Sequence, residues 1–201
     1  MKKLILNSCL AGLLIGLASV IFVLVNNSIP DPYGKIVGSF LFSIGLISVI
    51  LLDTFLFTGK IGYVNSKEIL KNVLIGLLFN IVVAFIVGLI FRLINGVNEI
   101  YDSRTLKEWY KILFDSIGCG ALIYLAVELY KKKNNLLLIV LPVMAFILAG
   151  FEHSIADACY LGMSKITLKG ILYLLIIIVG NAFGSLLIRL IQISVEKKLP
   201  D

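Results

Sequence analysis

Gly150-Phe151-Glu152-His153-Ser154-Ile155-Ala156-Asp157 interrupts an apolar run, Leu136–Tyr160, that is otherwise long enough to cross a bilayer as a helix. A carboxylate and the chain's one histidine are expensive at that depth. On insertion scales a charge at the centre of a membrane helix costs at least about 2.5 kcal/mol. Side chains that costly mark a functional position, and the glycine and polar residues around them mark a break in the helix. Working outward, a second apolar run, Ile36–Phe57, ends in a comparable interruption, Asp53-Thr54-Phe55-Leu56-Phe57-Thr58-Gly59.

The rest of the chain supports a membrane setting. Of 201 residues 60% are hydrophobic and only 15% charged, and the mean hydropathy is +1.05. Soluble domains carry about 25% charged residues because a folded chain needs a wetted shell. Four further runs complete a set of six: Leu4–Val25, Ile69–Ile94, Trp109–Tyr130 and Ile171–Val195. The first follows Met1-Lys2-Lys3 but is longer than the apolar core of a signal peptide and lacks a small-residue cleavage site, so it reads as a retained first span.

No low-complexity tract or soluble appendage divides the chain, which reads as one transmembrane domain over residues 1–201. The longest polar stretch, Asn95–Lys111, separates two halves of three spans, 1–95 and 105–198. Each half has an interrupted middle span, and each third span carries a buried-looking asparagine, Asn80 and Asn181. Two broken helices at matching positions in halves of opposite topology predict an inverted repeat whose breaks meet at a midplane site. The expected fold is an all-α integral membrane protein with six transmembrane helices in a 3+3 inverted repeat, helices 2 and 5 broken.

Charge sets the expected orientation. With the amino terminus inside, inner segments hold Lys2, Lys3, Lys60, Lys67, Lys71, Lys131, Lys132, Lys133, Arg189, Lys197 and Lys198, the larger share of the 18 basic residues. Outer segments hold Lys35, Arg92, Arg104, Lys107, Lys111, Lys165 and Lys169, diluted by acids. Both termini are therefore expected on the cytoplasmic side of the cell membrane. The net charge of +6 reads as topology and contact with lipid headgroups rather than as a nucleic-acid patch. Cys9, Cys119 and Cys159 lack paired spacing and read as small buried hydrophobes, with no metal site or cofactor implied.

Glu152 is expected to accept hydrogen bonds from backbone N–H groups orphaned at the break, and Asn80 and Asn181 to tie the two interruptions to neighbouring helices. His153, the side chain whose charge changes near neutral pH, is expected to face the conduit. An intramembrane enzyme using Glu152 and His153 is a rival reading, but one histidine and three scattered cysteines supply no nucleophile–base–orienter set. A neutral-solute pore is another, although the paired Asn-Pro-Ala breaks usual in such pores are missing from the sequence.

The octapeptide at 150–157 resembles the signature of the formate/nitrite transporter family. Ala11-Gly12-Leu13-Leu14-Ile15-Gly16-Leu17-Ala18, Phe42-Ser43-Ile44-Gly45-Leu46 with Leu56-Phe57-Thr58-Gly59, and Val179-Gly180-Asn181-Ala182-Phe183-Gly184 are similar to its first, second and sixth spans. The resemblance implies an aquaporin-like protomer in a homopentamer. Each protomer would pass small monovalent anions such as formate, nitrite or hydrosulfide, with proton coupling through the histidine. By position it makes His153 and Thr58 the central polar pair. Phe42, Leu46, Leu56 and Phe146 become the apolar constrictions, and Arg104 a vestibule cation where the family has lysine. Three departures stand out: Phe55 in place of an acid, Phe79 and Val83 in place of glycines, and Gly120 in place of asparagine.

Overall fold

The computed structural model describes residues 1–196, so Lys197 and Lys198, counted above with the inner basic residues, lie outside the described residues, as does the end of the second half. Among the described residues, five helices are long and apolar enough to cross a membrane: α1 (Lys2–Ser28), α2 (Tyr33–Leu51), α4 (Lys67–Asn95), α6 (Trp109–Lys133) and α9 (Leu168–Glu196). A sixth span is broken into α7 (Leu137–Ala149) and α8 (Ser154–Met163), which meet at 52°. Two single-turn helices, α3 (Phe57–Lys60) and α5 (Asp102–Thr105), complete the set.

The spans expected from apolar runs are all present, with two informative differences in extent. The second helix stops at Leu51, six residues short of Phe57, because Asp53 adopts a left-handed φ of 45° and Thr54 folds back to bond Val49 O through both its N–H and its hydroxyl. Chain direction is then regained only at α3. In the fifth span the helix ends on Gly150, whose φ of 75° suits a residue without Cβ.

The two halves use one construction. In the first, α1 packs on α2 and α4; in the second, α6 packs on α9 and α7. Ser8 and Gly12 on α1 face Asn80 on α4, while Ser116 and Gly120 on α6 face Asn181 on α9. A Cβ on Gly12 would lie 2.6 Å from the Asn80 carbonyl oxygen, and one on Gly120 would meet the Asn181 carbonyl closer still. Bare backbone at these two points lets each first helix approach its third, which explains why position 120 holds glycine. Every residue of α8 is buried, whereas α1, α4 and α9 each expose a leucine- and isoleucine-rich face, as lipid-facing helices do.

Candidate functional site

Both breaks are pinned by asparagine. Asn80 Oδ1 accepts from Phe57 N at 2.8 Å, while its Nδ2 donates to Phe55 O at 3.0 Å and to Ser8 O at 2.7 Å. Asn181 repeats the pattern: Oδ1 accepts from Ser154 N at 2.8 Å, and Nδ2 donates to Glu152 O at 2.9 Å and Ser116 O at 2.8 Å. Each amide thus satisfies one N–H and one C=O that the break frees, and joins them to the first helix of its own half.

Held this way, the breaks bring Thr58 and His153 together. Thr58 Oγ1 lies 3.0 Å from His153 Nε2, with both residues buried. His153 is also the N-cap of α8, its Nδ1 accepting from Ala156 N at 3.2 Å. That bond fixes the tautomer: a nitrogen accepting an N–H carries no proton, so in the neutral ring the proton sits on Nε2 and is directed at Thr58.

On one side of this pair Phe146 stacks on the imidazole with ring centroids 6.0 Å apart, and Phe42 meets Phe146 edge-on at 6.0 Å. Beyond them opens a cavity of about 290 Å³ lined by Phe42, Phe146, His153, Arg104, Lys107 and Asp157, among others. On the other side, Leu46 and Leu56 border a second cavity of about 260 Å³ that reaches Asp53, Lys60 and Lys131. Of the seven residues expected along the path, His153, Thr58 and the four apolar side chains lie between two vestibules at opposite ends of the molecule, and Arg104 lines the first of these.

Glu152 requires a correction. Its carboxylate does not serve the orphaned backbone N–H groups; Asn181 and His153 take that task. Glu152 Oε2 instead accepts from Arg104 Nε at 3.0 Å and Oε1 from Lys107 Nζ at 2.7 Å. The physical reason is direction: the Glu152 side chain leaves the extended break toward the 290 Å³ cavity, where two cations approach, while the N–H groups point into the helix pair behind it. Arg104 Nε also donates to Asp157 Oδ1 at 2.9 Å, and Lys107 Nζ to Asp115 Oδ2 at 2.8 Å. Burial works against the charge of both cations. The neighbouring carboxylates outweigh it, Glu152 and Asp157 raising the Arg104 pKa and Glu152 with Asp115 raising that of Lys107 above its ordinary 10.5.

Sequence reasoning did not join Asp115 and Asp157 to these cations. Asp115 and Asp157 sit one on each of two helices, and no spacing in the chain announces that Lys107 and Arg104, from the loop between the third and fourth spans, will hold them. The loop itself is anchored by Ser164, whose hydroxyl donates to Asn98 O and accepts from Tyr101 N, and by Arg92, which donates to Ser164 O at 2.9 Å.

Residues 1–194 match the family model described as formate/nitrite transporter. The chain is similar to the uncharacterized transporter YrhG of Bacillus subtilis, at 28% identity over 183 residues, 78% of this chain and 69% of that protein. It is also similar to the formate channel FocA of Haemophilus influenzae, at 27% identity over 183 residues, 78% of this chain and 64% of that one. It thus spans about two thirds of the length of these relatives. Among solved structures, a pentameric formate channel with formate bound superposes with a TM-score of 0.83 at 20% identity, covering 98% of both chains. An FNT family ion channel superposes at 0.84 and 23% identity, covering 98% of this chain and 90% of that one. At such identities the likeness establishes the fold: six spans, two of them broken.

Proposed function

Because the chain belongs to the formate/nitrite transporter family, whose members move solutes rather than catalyse reactions, we propose that it is a pore for small monovalent weak-acid anions, formate foremost. The observation that carries this reading is the Thr58–His153 contact between two vestibules, flanked by Phe42 and Phe146 on one side and by Leu46 and Leu56 on the other. An anion leaving either vestibule sheds water against these rings, and the low dielectric there favours its protonated form. His153 Nε2–H and the Thr58 hydroxyl replace the lost water as donors. Nitrite and hydrosulfide share formate's size and single charge and belong to the same proposal.

The fixed tautomer bears on the histidine's part. Giving up the Nε2 proton would leave an imidazolate, and taking up a second proton on Nδ1 would break the bond from Ala156 N. The ring therefore acts as a hydrogen-bond donor to the solute at the bottleneck. Any proton that travels with the solute is acquired from vestibule water as hydration is stripped, and coupling follows the acidity of the solute.

The same reading places the protein in the cytoplasmic membrane with both termini inside, as a homopentamer. The pentameric formate channel of the same fold and the apolar outer faces of α1, α4 and α9 support that assembly. The test is flux into proteoliposomes. His153→Phe should abolish formate uptake, while His153→Gln, which keeps an N–H donor, should retain a measurable part of it. Unchanged uptake in His153→Phe refutes the role given to this residue.

A further inference from the structure

The two vestibules differ in how their cations are used. At the Arg104 end, Arg104, Lys107 and Lys35 are all engaged. Arg104 is shared by Glu152, Asp157 and the carbonyl of Ile100; Lys107 by Glu152, Asp115 and the carbonyl of Gly150; and Lys35 donates to Leu148 O. Asp31, Glu152 and Asp157 line the same cavity as these three cations, and Asp115 adds a further carboxylate on Lys107. At the opposite end, Lys60 and Lys131 line one cavity with a single carboxylate, Asp53. The Lys60–Asp53 contact is long, 3.5 Å, and the Asp53 side chain is 93% exposed, where water screens it. Lys131 Nζ sits 3.7 Å over the Tyr63 ring, and among the described residues it has no ion-pair partner. The nearby carboxylate of Glu128 is taken by Tyr63, Gln192 and Lys132.

Resting on the channel reading above, we propose that Lys60 and Lys131 form a capture site for small monovalent anions at their end of the pore, and that Asp157 and Glu152 silence the corresponding cations at the other end. A cleft carrying one sign of charge raises the local concentration of the opposite ion. The Tyr63 ring holds the Lys131 ammonium without cancelling its charge, as an acid would. Detailed balance requires equal permeability from either side of a passive pore when solute is dilute. The asymmetry therefore lies in saturation: entry from the Lys131 end saturates at lower anion concentration, with a correspondingly lower maximal rate.

Initial formate fluxes in both directions, in vesicles at equal pH and low ionic strength, test this; labelling of the exposed position in Lys133→Cys by an impermeant thiol reagent assigns the sidedness. The half-saturating concentration should be at least about threefold lower from the Lys131 end. Lys131→Gln should raise it toward the value at the other end, and Lys131→Arg should restore it. Asp157→Asn, by removing one of the two carboxylates paired with Arg104, should lower the constant at the Arg104 end. At about 1 M salt, where charges are screened beyond about 3 Å, the difference should vanish. Equal constants in the unmodified protein, or an asymmetry that survives both Lys131→Gln and high salt, overturn the inference while leaving the channel reading in place. Vesicles that pass no formate overturn that reading, and this inference with it.

Discussion

The breaks at Leu52–Leu56 and Gly150–His153 have the same support and opposite surroundings. In each, an asparagine from the third helix of its half gathers one N–H and one C=O of the break and one carbonyl of the first helix. Position for position, Phe55 matches Glu152, Leu56 matches His153 and Phe57 matches Ser154. The first break presents a phenylalanine ring beneath Lys60, the second a carboxylate between Arg104 and Lys107. Architecture thus resides in the asparagines and the glycines opposite them. The side chains displayed from the same backbone are free to differ, and one break can hold the polar centre while the other supplies an apolar wall.

If the asparagines carry the architecture equally, Asn181→Ala and Asn80→Ala should be the most damaging changes and close to one another. Each strands the one N–H and one C=O freed by its break, at a cost of about 1–3 kcal/mol apiece where no water can enter. Thermal unfolding in detergent should show a loss of at least about 2 kcal/mol for either, and one far milder than the other would break the equivalence. Gly120→Ala and Gly12→Ala sharpen the comparison at the next level. The added methyl presses on the partner asparagine's carbonyl in both, more severely at 120, so overpacking should cost about 1–3 kcal/mol with Gly120→Ala the worse.

The smallest effect concerns the charges found at the second break alone. Lys107→Met should lower Tm by the equivalent of about 1 kcal/mol. Because the folded-state pKa of Lys107 is raised, its stabilisation is complete below the ordinary lysine value of 10.5 and is lost as pH climbs through the folded value. The Tm gap between the two proteins should hold constant through neutral pH and close only in strong alkali. A gap that closes near neutrality would show that this ammonium is not held by Asp115 and Glu152.

Much of this was legible in the chain because membranes punish local exceptions. Asn80, Asn181 and His153 are conspicuous against leucine and isoleucine, and the stop at Gly150 is written in a residue that tolerates positive φ. Glu152 was equally conspicuous, yet its partner was misread. An acid beside a helix break resembles a cap when only the neighbouring sequence is considered, and Arg104 stands 48 residues away. The partners of Asp115 and Asp157 are hidden for the same reason, as is the pairing of Ser8 with Gly12 and of Ser116 with Gly120. These gain meaning only once α1 meets α4 and α6 meets α9.

Hydropathy, the two interruptions and their repetition in both halves determined by themselves that the chain crosses a membrane six times and that its second and fifth spans are broken. Each of these properties follows from residues within one helix length of each other, where the energy of placing a group in lipid is decided. Only tertiary structure decided which cations lack an acidic partner and which side chain meets His153 Nε2. Both depend on partners brought together by helix packing, and a hydrogen bond needs its partners within about 3 Å.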